Sequence, residues 1–534
     1  MFPFNWFKNR KGKLRGPASS APAGNAALPA GNGLKGRLDW FRGQLHTVAD
    51  MQIDEVVFAE GVPCAFLYIR SLIDRNIYQE QLLSPLLAVS RASNGGRAGD
   101  LAKMMDQLPV SASAKGTDLN KALKALFSGY VIAIVDQELQ YRLFPMWSVK
   151  QRAIPESENE SVIRGPKEAF IENIWTNIAL IRRRIKHPAF KSIEFEFGTY
   201  TKTTVMLIYI EGLCKPKLVE EVKKRISRIQ MDGVIGSSYI EEFIEDNPFS
   251  PFPQVQYTER PDTVSASLLE GRMGILVDGT PIAIMMPVTL AMLLQSAEDY
   301  YQRFVAATWI RWIRYLFLFI SFLLPSIYIA VTTFHPEILP PNLLVTVAAA
   351  RENVPFPAIV EAFIMEVIFE ILREAGVRMP AVVGNTISIV GALVLGQAAV
   401  EAGIVSSAMV IIVALTAITS FVSPAYNLAM AARMLRFGLL LAASVLGIYG
   451  IAVCLLIILL HLCSLRSFGI PYMAPFGPMK TKDWRDIFVR APIWSRASRP
   501  LLLTRNNYQP VSGPVPSKAM KTQGKEESTN EDNG

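Results

Sequence analysis

The chain has 534 residues, 51 % of them hydrophobic and only 19 % charged, where an ordinary soluble domain carries about 25 %. The deficit is local: between Tyr315 and Cys463 only twelve of 149 residues are Asp, Glu, Lys or Arg, which excludes a wholly soluble enzyme. Of the net charge of +8, the first 37 residues hold seven cations and no acid, so the remainder is nearly neutral and offers no basic face for nucleic acid.

Residues 1–35 read as a disordered basic tail, rich in Ala, Gly and Pro and suited to anionic headgroups. Gly31 to Gly36 matches G-x-G-x-x-G, but a Pro/Ala coil precedes it where a phosphate-binding fingerprint needs a strand. Phe2 to Phe7 stands ahead of the basic residues, the reverse of a signal peptide, so the segments before the first membrane span are expected in the cytoplasm.

An internal repeat organises the next 250 or so residues. Ala65 to Leu72 resembles Val205 to Leu213 at an offset of 141, and Gly129 to Asp136 resembles Gly271 to Asp278 at 142. In each copy a β-rich run (Cys64–Ile69; Thr203–Ile210) precedes a helical pattern (Ile77–Leu87; Lys217–Ile229). The expected fold is therefore an α/β soluble region of two tandem similar lobes, 36–150 and 191–300, joined by a connecting helical segment, 151–190. Asp136 and Asp278 read as turn residues closing hairpins, in preference to catalytic carboxylates. In the connector, Arg182-Arg183-Arg184 is either a solvated face or an interface to acids such as Glu241, Glu242 or Glu245.

The membrane domain is expected at 301–463. Tyr315–Phe334 is an uncharged stretch of about twenty residues, the length that spans a bilayer core. Arg303, Arg311 and Arg314 before it, and Arg466, Lys480, Lys482 and Arg485 after Phe437–Cys463, mark both flanks as cytoplasmic, so the crossings should be even in number; four are expected. Phe356–Ala375, Thr386–Ala402 and Ile404–Phe421 lie between, giving five candidates, of which one must fail to cross as counted. In the first of the three, Glu361, Glu366, Glu370 and Glu374 form an acidic stripe that should face water, protein or a cation such as Arg351, Arg373 or Arg378. It either lines a cation route or lies in the headgroup region. Gln397, Glu401, Ser406, Ser407, Thr416 and Ser420 are polar in an apolar stretch. They are pore-wall candidates in an oligomer, with Val405 or Ile404 as a constriction, or else partners in helix packing. A short C-terminal cytoplasmic segment, 464–508, and a disordered acidic tail, 509–534, follow.

The four cysteines show no C-x-x-C spacing, and the chain has no phosphate loop or Ser/His/Asp arrangement on recognisable elements. Neither catalysis nor a metal or cofactor is expected.

Thr258-Glu259-Arg260-Pro261-Asp262, the downstream Leu269-Glu270-Gly271-Arg272, Arg164-Gly165-Pro166, Pro355 to Phe363 and Phe468 to Phe476 together resemble the A subunits of bacterial spore germinant receptors, the GerA family, over roughly residues 50–500. Ala169 departs from the family's usual Gly, and the two tails lie outside the matched region. The resemblance implies a multi-pass subunit in the inner membrane of a spore, with cytoplasmic N- and C-terminal regions. It further implies work with a transporter-like B subunit and a lipoprotein C subunit, and homo-oligomerisation into a nutrient-gated channel for monovalent cations. A non-conducting scaffold or sensor beside a separate channel is the alternative, and A-like paralogues leave the partner set open.

Overall fold

The computed structural model describes residues 33–504 apart from 59–60, 93–97, 109–113, 147–155, 158, 379–395, 480–482, 494–498 and 500–501. Residues 1–32 of the N-terminal tail and the whole C-terminal tail therefore lie outside the described residues, as does most of Thr386–Ala402, while Leu34 and Lys35, expected in the tail, open a helix.

Two five-stranded antiparallel sheets form the first half. In the first, β1 (Met51–Val57), β2 (Pro63–Ile69), β3 (Ala114–Gly116), β4 (Tyr130–Val135) and β5 (Tyr141–Pro145) lie in the order β1-β2-β4-β5-β3. The second repeats that order as β6-β7-β9-β10-β8, with β6 (Phe190–Phe197), β7 (Thr203–Ile210), β8 (Gln256–Thr258), β9 (Met273–Val277) and β10 (Ala283–Met286). The register repeats too: Cys64 faces Val135 as Val205 faces Val277, which are the two offsets of the sequence repeat combined in one pair. Sheet register is fixed by which face is buried, so a duplicated hydrophobic pattern folds into a duplicated pairing.

Each sheet is preceded by a helix, α1 (Leu34–Gln44) and α2 (Ile174–Arg184). Asp136 and Asp278, which follow β4 and β9, cap them: Leu34 N donates to Asp136 Oδ1 at 2.7 Å and Ile174 N to Asp278 Oδ1 at 3.1 Å. These carboxylates satisfy helix N-termini distant in sequence, a role that a reading as local turn residues does not contain. The repeating unit thus opens with a helix, and α2 is the first element of the second copy.

The lobes meet edge to edge. Val48 bridges Ser192 in parallel, and fully buried Arg182 grips fully buried Asp50, Nε to Oδ2 at 2.8 Å, with its guanidinium 4.7 Å from the Phe190 ring. Arg183 and Arg184 pair with Glu168. The arginine run is therefore split: one member joins the lobes through Asp50, an acid in the other lobe, and none pairs with Glu241, Glu242 or Glu245. Three consecutive helical residues point about 100° apart, so only one of them could enter the interface.

The second half is helical. After α3 (Pro261–Leu269) in the second lobe come α4 (Phe304–Phe334), α5 (Ala358–Arg378), α6 (Ser407–Ser420) and α7 (Tyr426–Ser464). By length and composition α4 and α7 can cross a membrane, while α6 is a shorter apolar helix. Within α7, Gly447 has φ 59° and ψ −138°, a conformation costly for any residue with a Cβ. Ala442 and Gly450 would stand about 12 Å apart along a continuous helix, yet a Cβ on Gly450 would collide with the Ala442 carbonyl. The chain thus doubles back at Gly447, so that Leu428 and Leu462 join one core cluster with Phe252 of the second lobe and Tyr472 of the segment after α7. Side-chain pairs give the directions. Arg436 reaches Ser321 while Gly447 abuts Phe334, so the first arm of α7 runs with α4. Glu361 meets Ser406 and Arg373 meets Ser420, so α5 and α6 run together. The last apolar run, counted as one candidate span from the sequence, is two arms of a hairpin.

A candidate coupling site at the membrane junction

Thr258 to Asp262 leads from β8 into α3, with Pro261 at the first helical turn, where its missing N–H costs nothing. The buried Arg260 guanidinium spreads over three acceptors: Glu160 O at 3.0 Å, Pro166 O at 2.7 Å and Asp262 Oδ2 at 2.8 Å. A planar fork suits this divergent geometry. Thr258 Oγ1 donates to Glu160 Oε2 at 2.6 Å, and Glu259 accepts from Ser157 Oγ at 2.9 Å and from Asn159. The motif strand therefore clamps the loop that carries Arg164-Gly165-Pro166. Burial, reinforced by Glu259, raises the Glu160 carboxyl to about 7 even though Thr258 and Arg260 oppose the rise.

The loop is pressed against the chain that enters the membrane. Gly165 sits at φ +133°, and a Cβ there would lie 2.7 Å from the Tyr301 ring. Tyr301 in turn donates to Asp262 Oδ2 at 2.5 Å. Three residues later α4 begins. The two motif segments, 94 residues apart between Arg164 and Thr258, thus converge on the last turn before the first membrane-capable helix.

Asp299 lies beside them. It accepts from Arg311 Nε at 2.8 Å and from both Arg314 Nη atoms at 3.1 Å. Burial alone would raise its carboxyl, but Arg314 and then Arg311 offset that and hold it below the usual carboxylate range. Arg311 and Arg314, read from the sequence as a positive flank, are buried and paired; only Arg303 of the three is exposed. The segment after α7 closes the junction. Tyr300 Oη donates to Asp486 Oδ2 at 2.9 Å, Trp312 to Phe488 O at 2.8 Å and Tyr315 to Ile487 O at 2.7 Å. On the lobe side, Val288 N donates to Ser467 Oγ, which donates to Gln254 O, and His461 of α7 meets Ser250 at 2.9 Å. Both ends of the helical region are stitched to the second lobe.

The acidic stripe is split: Glu361 and Glu366 are buried in the helical bundle, Glu370 is half-buried and Glu374 is exposed. Buried Glu361 accepts from Arg351 at 3.2 Å and from Ser406 N at 2.9 Å. Glu366 pairs with Arg436 at 2.7 Å, Glu370 with Arg373 at 3.0 Å, and Glu374 with Arg378 at 2.6 Å. Of the pore-wall candidates, Gln397, Glu401 and Ser407 are exposed, with Gln397 bonded to Glu401 at 2.8 Å, and Ile404 is exposed beside them. Val405, Ser406, Thr416 and Ser420 are buried within the chain: Ser406 caps α6, Thr416 bonds to Ile412 O, and Ser420 accepts from Arg373.

Sequence reasoning missed Glu160, Asp299, Tyr301 and Asp486. A faint signal was present: Arg311 and Arg314 are spaced i, i+3 on one helix face, so a shared acid was to be sought.

The model of the Bacillus/Clostridium GerA spore germination protein family matches residues 39–502. The chain is 45 % identical over 488 residues to a Bacillus subtilis membrane protein, YfkQ, covering 91 % of this chain and 94 % of that one. It is also 45 % identical over 454 residues to spore germination protein KA of the same organism, covering 85 % and 83 %. Among solved structures, the N-terminal domain of the A subunit of the Bacillus megaterium germinant receptor GerK3 is similar at 30 % identity and a TM-score of 0.37, over 48 % of this chain and 94 % of that one.

Proposed function

The chain belongs to the GerA family of spore germination proteins, and from that premise we propose that it is a membrane subunit of a nutrient germinant receptor in the spore inner membrane. Its cytosolic lobes set the state of its helices through the junction at Asp262, Asp299, Tyr301 and Asp486. Several copies assemble around a polar route for monovalent cations, working with a transporter-like B subunit and a lipoprotein C subunit. The single observation that carries this reading is the contact of both family motifs with Tyr301, three residues before α4 begins. A shift of the second lobe would act on that helix through Tyr301 and through Asp299, which holds Arg311 and Arg314 of α4.

The exposed residues Gln397, Glu401 and Ser407, with Ile404, are the wall of the route; buried Val405, Ser406, Thr416 and Ser420 hold the helices that present it. The burial of four of the seven candidates favours, as a second reading, a non-conducting scaffold that passes the same shift to a separate channel. Resting cation leak of spores carrying Glu401→Gln or Ser407→Trp separates the two. The conducting reading predicts an altered leak with unchanged protein level, whereas Thr416→Val changes only the level. Unaltered leak in both exposed variants overturns it.

A further inference from the structure

The first turns of α4 carry an apolar face that the described residues leave open. Val305, Trp309, Trp312, Leu316 and Phe319 follow one another at spacings of four, three, four and three, and all are exposed, Trp309 by 63 %. That spacing sets them in one stripe along the helix, and Ile327 continues it. Arg311 and Arg314 lie on the other side, buried against Asp299. The 31 residues of α4 extend about 46 Å at 1.5 Å per residue, against ~30 Å of hydrocarbon and ~40–45 Å with both headgroup layers. An ordinary tilt of about 20° shortens that by only a few Å. About ten residues of apolar-faced helix therefore stand outside the hydrocarbon.

The aromatic residues mark which end that is. Trp309 and Trp312 stand in the first three turns, and indole favours the interface because its ring is apolar and its N–H polar. The Trp312 N–H donates to Phe488 O, and exposed Phe488 sets its ring 6.0 Å from that of Tyr315. A second, independent mark lies on the lobe. Phe249, between Pro248 and Ser250, is 97 % exposed, and Ser250 meets His461 three residues before α7 ends. Tyr315 and Leu318 of α4 and Ile458 and Leu462 of α7 share one core cluster with Phe252. Phe249 therefore stands at the level where both helices leave the hydrocarbon. Arg303 before α4 and Arg466 after α7 are exposed at the same rim, cations suited to lipid phosphate.

We propose that the second lobe docks on the phospholipid headgroup layer through a collar of Phe249, Trp309, Trp312 and Phe488, which places the junction at Asp299 and Asp486 inside that layer. This rests on α4 and α7 crossing the membrane, as read above, and not on conduction. A protein helix seated on the α4 stripe would leave Phe249 unexplained, whereas one bilayer surface covers both. The stripe also runs without a break into Leu316 and Phe319, which face the hydrocarbon.

The test uses the full chain in nanodiscs of phosphatidylethanolamine and phosphatidylglycerol, carrying Cys454→Ala and Cys463→Ala; Cys64 and Cys214 are buried. Nitroxides placed through Phe249→Cys, Trp309→Cys, Phe319→Cys or Tyr200→Cys are read by their collisions with oxygen and with an aqueous nickel chelate. Tyr200, exposed on the turn between β6 and β7, is the reference for water. The expected nickel collision rate at Phe249 and Trp309 is several-fold below that at Tyr200, with oxygen collisions rising from these two positions to Phe319. Should a labelled variant not fold, quenching of tryptophan fluorescence by brominated phospholipid carries the comparison, strong in the wild type and weakened by Trp309→Phe with Trp312→Phe. Nickel access at Phe249 and Trp309 equal to that at Tyr200, with Phe319 in lipid, overturns the docking and keeps the spans. Nickel access at Phe319 as well removes the membrane reading and the docking with it. Trp309 shielded from both oxygen and nickel means a protein on the stripe and overturns the proposal, as does quenching unchanged in the double variant.

Discussion

Replacing Arg260 by Met keeps the volume of the side chain and removes its charge and all three of its hydrogen bonds to Glu160, Pro166 and Asp262. Asp262 is 8 % exposed and would keep only the Tyr301 hydroxyl. Removing one partner of a buried pair costs about 3–5 kcal/mol, because the other charge stays uncompensated. At about 2–4 °C per kcal/mol for a unit of 150–250 residues, the second lobe should melt roughly 6–20 °C lower. The assay is thermal unfolding of the full chain in detergent by intrinsic fluorescence, with limited proteolysis of the 157–167 loop as a local reporter. Arg260→Met with Asp262→Asn should cost less than the sum of the single changes, since the stranded charge is gone. An Arg260→Met protein that melts and resists protease like the wild type would refute the clamp.

Asp50→Asn strands fully buried Arg182 at the seam between the lobes and should destabilise by about 3 kcal/mol or more, read as an earlier unfolding transition of the lobes. Gly447→Val forces a Cβ to within 3.0 Å of Phe334 at a positive φ and should lower Tm or yield by at least the ~1–3 kcal/mol of such backbone strain. For Glu160, raised to about 7 from an ordinary 4.5, the folded state favours the protonated form. Its contribution is complete below about pH 4.5 and is lost as pH rises through about 7, so the second lobe should melt lower at pH 8 than at pH 6. Glu160→Gln should flatten that difference; a wild type equally stable at both values contradicts the assignment.

The duplication was legible because side-chain alternation and burial are local properties of a strand, and two matches at offsets of 141 and 142 mark equivalent positions, whereas the pairing of Cys64 with Val135 and of Val205 with Val277 came only with the structure. The roles of Asp136 and Asp278 were not, because the helices they cap lie about a hundred residues upstream. For Arg182 the sequence allowed an interface between lobes but not its partner, since Asp50 carries no local mark. The fold-back at Gly447 was hidden by composition: both arms are apolar, so hydropathy counts one run where the backbone makes two. Charge at the membrane edge misled in the same way. Arg311 and Arg314 look like a headgroup flank until Asp299 is placed against them. The family motifs were legible as a signature and silent as to role, because Gly165 and Asp262 acquire meaning only through Tyr301.

Current across planar bilayers holding the full chain with its partner subunits tests the coupling most directly. The wild type should pass monovalent cations only after nutrient is added, and Asp299→Asn, which releases Arg311 and Arg314, should pass them without nutrient. An Asp299→Asn protein that is folded and assembled yet needs nutrient as the wild type does would contradict the account.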